Sequence, residues 1–255
     1  MDEELKSIFS HESKIANLDL SRKAEADLAD SERHFLGRVF NGSRSLLDVG
    51  CGNAFICDLA NVANPELRYT GLDLDPHCIS AGRQRFPSAH FIEGVFPESI
   101  GNESYDCVLS FRTFYEQVDY RSFLRTLIKA SEKYVLFDLR VKFDGPTIVD
   151  PELSYFYYHK TGKRVPHIVQ NLFELLNFLC IEEFSLKKIS IYGYHPPFSS
   201  GFVPMKKNEM MVAACLLEKY PIGETRMVTG ATDAQWSRDW CQVDINLPGY
   251  EKDWF

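Results

Sequence analysis

The chain has 255 residues, of which 45% are hydrophobic and 25% are charged, and its formal net charge is −8. This balance is typical of a globular protein and excludes a wholly disordered chain. The acidic charge also argues against a protein whose main task is to grip the phosphate backbone of DNA, because that task requires a basic surface.

The first residues of the chain are acidic and lack the apolar core of a signal peptide. No apolar run is long enough to cross a bilayer. The seven cysteines form no CxxC pair, which favours buried, reduced thiols over a disulfide framework or a metal site. We therefore expect a cytoplasmic protein with no membrane partner and no bound metal.

Two helices are predicted ahead of the first strand. Residues 2–12 have a loose amphipathic pattern. A firmer helix is expected to begin after Ser21 and to end at Asn41-Gly42. Its apolar stripe consists of Leu28, Phe35, Leu36 and Val39.

Short apolar segments then alternate with helical ones. The predicted strands are residues 45–49, 69–73, 90–94, 105–111 and 134–138, followed later by 185–194 and 209–217. Helices are expected at 54–62, after Asp75-Pro76, at 120–130, and again from near Pro166. Strands that alternate with helices and are continuously apolar indicate a parallel sheet covered on both faces. Its carboxyl edge is where ligands bind.

Two segments interrupt this rhythm. Residues 140–166 are aromatic-rich without a clear period, and we interpret them as an insertion over the carboxyl edge. Its aromatic residues would either form a lid or simply pack into the core. Residues 219–255 hold all three tryptophans and are expected to pack back on the domain as a tail. The expected organisation is one domain over residues 1–218, with a helical cap at 1–44, the insertion and the tail.

The most informative stretch is Leu46 to Phe55, with the sequence LLDVGCGNAF. A strand that turns at once into a helix against a ligand needs residues without a Cβ, and Gly50 and Gly52 meet that need. The unpaired amides of the helix start suit a polar or anionic group. A nicotinamide-type fingerprint would need a third glycine where Phe55 stands.

The segment Asp48-Val49-Gly50-Cys51-Gly52, with Asp73 ending the next strand, resembles the first two motifs of the class I, Rossmann-like S-adenosylmethionine-dependent methyltransferases. The resemblance covers about residues 45–217. It implies a doubly wound α/β fold with a mostly parallel, seven-stranded sheet, helices on both faces and the last strand antiparallel. It also implies that S-adenosyl-L-methionine is the cofactor.

The resemblance assigns roles around that cofactor. The glycine turn would lie against its methionine part, and Asp73 would accept both ribose hydroxyls. The ends of the third and fourth strands would frame the adenine and the transferred methyl group. The cofactor-binding set is Asp48, Gly50, Gly52, Asn53, Asp73, Leu74, Gly94, Val95, Ser110 and Phe111.

Three positions depart from the family pattern. Ala54 replaces a frequent third glycine of the turn. Val95 follows Gly94, where many members carry an acid that bonds the adenine amino group, so adenine recognition is expected to rest on backbone groups and on packing by Val95 or Phe96. Gln117 stands where many small-molecule enzymes carry a histidine.

The acceptor side is less well marked. An acceptor hydroxyl or amine needs a group to take its proton, and we select His195 and Glu116 as candidate catalytic residues. The acceptor would be bound by Arg112, Tyr157, Tyr158, His159 and Tyr194. We expect methylation of an oxygen or nitrogen of a small molecule, with DNA excluded and RNA disfavoured.

Two alternatives stay open. The first is a protein or RNA methyltransferase that uses a basic patch, made of Lys160, Lys163, Arg164, Lys206 and Lys207. The second is a non-catalytic S-adenosylmethionine-binding or scaffold protein. The absence of an acid after Gly94 and of a histidine at Gln117 favours this second alternative.

Overall fold

The computed structural model describes residues 27–158, 163–182, 186–195, 210–221 and 241–250. Within these ranges the helices are α1 (Asp30–Gly42), α2 (Phe55–Ala63), α3 (Pro76–Arg85), α4 (Tyr120–Ala130) and α5 (Leu172–Asn177). The strands are β1 (Ser45–Val49), β2 (Arg68–Asp73), β3 (His90–Glu93), β4 (Tyr105–Ser110), β5 (Ser131–Lys142), β6 (Tyr155–Tyr158), β7 (Lys163–Pro166), β8 (Val169–Asn171), β9 (Leu186–Tyr194), β10 (Met211–Lys219) and β11 (Gln242–Asn246).

The main sheet contains the seven predicted strands in the order β3, β2, β1, β4, β5, β10, β9. The first five run parallel, and β10 is antiparallel to both of its neighbours. Two strands that the sequence did not reveal enlarge it, since β8 pairs with β5, and β11 pairs in parallel with β9 at the edge. The predicted fold class is confirmed.

Helices cover both faces of this sheet. The apolar residues of α4 and α5 pack on one face with the side chains of Leu47, Val108 and Phe137. Those of α1, α2 and α3 pack on the other face, against Leu46 and Leu109. Because strand side chains alternate between faces, each strand contributes to both cores. The parallel strands end together at one edge, which therefore carries the candidate site.

Two helix predictions are wrong in their boundaries. Within the described residues, α1 begins at Asp30 rather than after Ser21, and Glu32 caps it by accepting the backbone N–H of Ala29 at 2.9 Å. No helix begins near Pro166, because β7 ends there and β8 follows; α5 starts only after Asn171, whose side chain accepts the N–H of Glu174 at 3.0 Å. The predicted helix at residues 2–12 lies outside the described residues.

The predicted insertion contains regular structure. β5 continues to Lys142, so the first three residues of the segment belong to the main sheet. Farther along, β6 and β7 form an antiparallel two-stranded sheet.

In the described ranges, no helix is long and apolar enough to cross a membrane.

Candidate active site

The turn between β1 and α2 has a backbone that most side chains would not permit. Gly50 has φ +80° and Gly52 has φ +52°, both in the left-handed region. The carbonyl oxygen of Leu72 on β2 accepts the N–H groups of Gly50 and Cys51 at 2.8 and 3.0 Å. Ala54 is also left-handed, with φ 59°, so the position where the family prefers a third glycine keeps a glycine-like conformation without the glycine.

Asp73 links this turn to the end of β2. One carboxylate oxygen accepts the Gly52 N–H at 2.8 Å and the other accepts the Asp75 N–H at 2.9 Å. Each carboxylate oxygen has about two lone-pair directions. The backbone donors therefore fix the carboxylate and leave one acceptor direction on each oxygen. This geometry suits a pair of neighbouring hydroxyls, such as those of a ribose.

Asp48 lies beneath the turn. It is almost fully buried, and its carboxylate accepts the hydroxyl hydrogen of Tyr69 at 2.7 Å. Burial, followed by the charge of Asp48, raises the pKa of Tyr69, so that phenol stays protonated and keeps donating. This contact supports the turn from inside the sheet. A direct contact between Asp48 and a cofactor stays a prediction.

The end of β3 is shaped by Ser99. A Cβ at Gly94 would lie 1.9 Å from the Ser99 Oγ, so this position requires glycine. The same hydroxyl oxygen accepts the Val95 N–H at 2.9 Å. The Val95 amide is thus already occupied, which leaves the side chains of Val95 and Phe96 as the groups available to pack on an adenine.

The segment after β4 has an unusual conformation at Arg112. Ser110 and Phe111 are buried, and the chain then turns through Arg112 at φ 58°. Outside glycine this left-handed conformation is uncommon and is enriched at functional sites. The Arg112 N–H donates to a carboxylate oxygen of Asp138 at 2.6 Å, which holds the turn against the end of β5.

Sequence reasoning missed a charged cluster beside this turn. Asp138 and Arg140 lie on the face of β5 that α1 covers, with 3.3 Å between the Arg140 Nη1 and an Asp138 oxygen. The Arg140 guanidinium stacks 4.3 Å from the centroid of the Tyr115 ring. Burial raises the pKa of Asp138, and the charge of Glu32 raises it further. The signal was the alternation of Asp138 and Arg140 with Leu139 and Val141, which continues β5 beyond its predicted end.

His167 completes the cluster. Its ring centroid is 5.1 Å from that of Tyr115, it is 3% exposed, and its Nδ1 has no hydrogen-bond partner among the described residues. Burial, followed by the charge of Arg140, lowers the pKa of His167 to about 3. The imidazole is therefore neutral at physiological pH.

Replacing His167 by phenylalanine is expected to change how stability depends on pH. An unfolded histidine takes up a proton below about pH 6.5, whereas the folded protein does so only near pH 3. The folded-state pKa is depressed, so this residue costs stability as the pH falls from 6.5 towards 3. Urea unfolding should show that the free energy of unfolding of the parent falls by about 2 kcal/mol more than that of H167F between pH 7 and pH 5. The exposed control H77Q should track the parent, and parallel curves for H167F would refute the assignment.

The two predicted catalytic residues are placed differently. Glu116 is half-buried in the turn Phe114–Glu116 that follows β4, next to the cluster. His195 is exposed just past the end of β9 and makes no hydrogen bond or ring contact with another described residue. The structure records no contact between the two, and both stay predictions.

The predicted acceptor-binding residues are only partly in view. Tyr194 lies beside the start of α1; burial raises its pKa, followed by the nearby charge of Asp30. Arg112 is exposed at the turn after β4. Tyr157 and Tyr158 belong to β6, while His159 lies outside the described residues.

The basic patch gains little support. Arg164 is paired with Glu152 at 2.6 Å and stacks on Tyr155 at 4.4 Å. Lys163 belongs to β7. The remaining members, Lys160, Lys206 and Lys207, lie outside the described residues.

Comparison with known proteins agrees with this geometry. The methyltransferase domain family matches residues 41–174, just over half of the chain. Malonyl-[acyl-carrier protein] O-methyltransferase of Acetivibrio thermocellus is 31% identical over 108 residues, which are 42% of this chain and 38% of that protein. The chain thus aligns with well under half of the length of this relative.

Two solved structures share the fold. One is the O-methyltransferase from a trans-AT PKS multienzyme of Brevibacillus brevis in complex with S-adenosyl-L-homocysteine (TM-score 0.54, 14% identity, 76% of this chain and 73% of that chain). The other is the 1,6-didemethyltoxoflavin-N1-methyltransferase of Burkholderia thailandensis with bound 1,6-didemethyltoxoflavin and S-adenosylhomocysteine (TM-score 0.55, 16% identity, 84% of this chain and 87% of that chain). At these identities the likeness concerns the fold.

The fold and the glycine turn define a class I, Rossmann-like α/β protein. The chain belongs to the methyltransferase domain family. The family resemblance inferred from Asp48 to Asp73 is confirmed at this level.

Proposed function

We propose that this protein is an S-adenosylmethionine-dependent methyltransferase that transfers a methyl group to an oxygen or nitrogen of a small molecule. The observation that carries the proposal is the joint geometry of Gly52 and Asp73, in which the glycine turn and the acid ending β2 meet at 2.8 Å. Family membership supports it. The relative from Acetivibrio thermocellus and both structural neighbours are also methyltransferases by name.

The residues present fit the cofactor. Asp73 has an acceptor direction free on each oxygen for the ribose hydroxyls, and Gly50 and Gly52 have no side chains to obstruct the methionine part. Further contacts come from the remaining predicted set, which is Asp48, Asn53, Leu74, Gly94, Val95, Ser110 and Phe111. Val95 and Phe96 would contribute packing on the adenine.

The chemistry asks little of the protein beyond alignment. When bound, the cofactor supplies a methyl group already activated on a sulfonium. The residues after β4 hold the acceptor in line and exclude water. Arg112 fixes the shape of this turn, because its amide is tied to Asp138 at 2.6 Å.

A neutral oxygen or a protonated nitrogen acceptor must also lose a proton. Glu116 and His195 are the proposed bases, and a carboxylate or imidazole is suited to this role. His167 is buried, and its pKa of about 3 keeps it neutral and makes it a poor base. It is better suited to shaping the site than to taking the proton.

The remaining proposals concern the whole protein. We place it in the cytoplasm, acting on a free small molecule, without DNA or membrane partners and with RNA disfavoured. The proposed organisation is a methyltransferase domain over residues 1–218, with a cap at 1–44, a lid at 140–166 and a tail at 219–255. The acidic net charge of −8 supports the exclusion of nucleic acid.

The direct test is turnover. The purified protein is incubated with methyl-labelled S-adenosylmethionine and a panel of small hydroxyl and amine compounds, and S-adenosylhomocysteine formation is measured. Product above the no-acceptor background is expected for at least one compound class. Cofactor binding without turnover on any panel member would favour the non-catalytic alternative, and the absence of binding at millimolar cofactor would refute the proposal.

A further inference from the structure

Arg140 lies where the acceptor side of the sheet begins. β4 ends at Ser110, which is paired with Phe137. Arg140 therefore lies three residues beyond the last position at which β5 pairs with β4. Neighbouring strands place a row of side chains in register here, consisting of Val169, Arg140, Val212 and Tyr194. The side chain of Arg140 therefore lies between the turn after β4 and the predicted acceptor residue Tyr194.

The Arg140 guanidinium is held in place, but only some of its N–H donors make hydrogen bonds among the described residues. Its side chain is 15% exposed and stacks on Tyr115. Only its Nη1 makes hydrogen bonds among the described residues, one to Asp138 and one to the Leu139 carbonyl oxygen, both at 3.3 Å. A guanidinium has five N–H donors. The Nε and Nη2 edge thus offers a two-pronged donor without a described partner.

The contact with Asp138 holds the Arg140 side chain in place but neutralises its charge only in part. At 3.3 Å through one nitrogen, it is longer than the 2.7 to 2.9 Å usual for a charge-assisted hydrogen bond. The other oxygen of Asp138 is committed to the Arg112 amide at 2.6 Å. Asp138 therefore fixes the guanidinium on Tyr115 and leaves its outer edge pointing away from the carboxylate.

One other polar group of the cluster is also unsatisfied. The His167 Nδ1 is buried without a partner among the described residues. Buried polar atoms are almost always paired, so an unpaired nitrogen beside this guanidinium is consistent with a ligand that completes the cluster. The charges facing the cluster are the cations Arg112 and Arg140 and the carboxylates Asp138, Glu32 and Glu116, so the carboxylates outnumber the guanidinium groups by one.

We propose that the outer edge of Arg140 binds a carboxylate group of the methyl acceptor, a step that rests on the proposed function above. A planar guanidinium fork matches a carboxylate with two parallel hydrogen bonds. A carboxylate adds one negative charge, which the Arg140 fork binds directly. A phosphate dianion would add a second charge close to Asp138 and Glu32, which disfavours it.

The test compares acids with their neutral counterparts. Binding of benzoate against benzamide, and of hexanoate against hexanamide, is measured by ligand-observed NMR with and without S-adenosylhomocysteine. Phenyl phosphate is included as the dianionic probe. The parent is expected to bind each acid about tenfold more tightly than its amide, as one charged hydrogen-bonded pair would provide. R140Q should lose this preference.

The controls separate recognition from folding. R125Q removes a guanidinium that stacks 4.9 Å over Phe178 on the outer side of α4, and it should keep the preference. The double variant D138N/R140Q removes the Asp138 charge together with that of Arg140, so Asp138 is not left as an unpaired buried carboxylate if R140Q alone unfolds. Equal binding of acids and amides to the parent, a preference surviving in the double variant, or tighter binding of phenyl phosphate than of benzoate would each overturn the proposal.

The two proposals fail in different ways. If the parent does not bind S-adenosylhomocysteine, this result counts against the proposed function. The preference for acids over amides can still be measured. Normal S-adenosylhomocysteine binding by a parent that shows no acid preference counts against Arg140 alone. Calorimetry on R140Q and R125Q should give unchanged S-adenosylhomocysteine affinity, since both residues lie outside the cofactor-binding set.

Discussion

Asp73→Ala is expected to weaken S-adenosylmethionine binding about a hundredfold. The substitution removes the proposed acceptor of two ribose hydroxyls, and hydrogen bonds to a charged group contribute about 1.5 kcal/mol or more each, which together give about 3 kcal/mol. Isothermal titration calorimetry measures the effect directly. Asp73→Asn keeps one acceptor oxygen and should lie between the parent and the alanine variant.

A matched control isolates the site from helix capping. Asp119 is an acid at the start of α4, where it accepts the Ser122 N–H at 3.3 Å. Asp119→Ala should cost some stability and leave cofactor affinity unchanged. Equal affinity of the parent and the Asp73→Ala variant would show that the carboxylate does not hold the ribose.

Gly50→Ala is expected to lower the free energy of unfolding by about 3 kcal/mol. The left-handed φ of +80° costs a residue with a Cβ about 1 to 2 kcal/mol. The new Cβ would also lie 2.1 Å from the Thr113 Oγ1, and such crowding costs about 1 to 3 kcal/mol. Urea unfolding in the absence of cofactor provides the measurement.

Two further variants divide this cost. Thr113→Ala in the Gly50→Ala background should relieve the clash and restore that part of the free energy of unfolding. The cost of the backbone strain should stay. Gly37→Ala is the control that should raise the free energy of unfolding. Gly37 is helical, and a Cβ added there would have nothing within 4 Å, so the substitution should stabilise α1 by about 0.5 to 1 kcal/mol. A Gly50→Ala protein as stable as the parent would contradict the assigned turn.

The cofactor side was predictable because its signals are local. Asp48, Gly50 and Gly52 fall within five residues, and Asp73 ends the next strand, so strand and helix periodicity place them at one edge. The position of β4 against β1 then brings Ser110 to the same edge. Even so, the sequence showed only residue types. The left-handed Ala54 and the Asp73 bonds to two backbone amides depend on how the turn closes.

The Arg140 cluster was not predictable, because its contacts join distant parts of the chain. Tyr115 and His167 meet across 52 residues, and Glu32 reaches the Arg140 cluster from α1. Arg140 was assigned to an insertion because the predicted strand stopped at Asp138. The helix start at Asp30 was missed because Leu28 continues the apolar period of α1 while lying in front of it.

The placement of α1 bears on how the two proposed sites are separated. The region matched by the family, residues 41–174, contains every residue proposed to hold the cofactor, whereas Glu32 and Tyr194 lie outside it and face Arg140 from two sides. On the proposed assignments, substitutions at these two positions would alter the surroundings of Arg140 without altering the glycine turn.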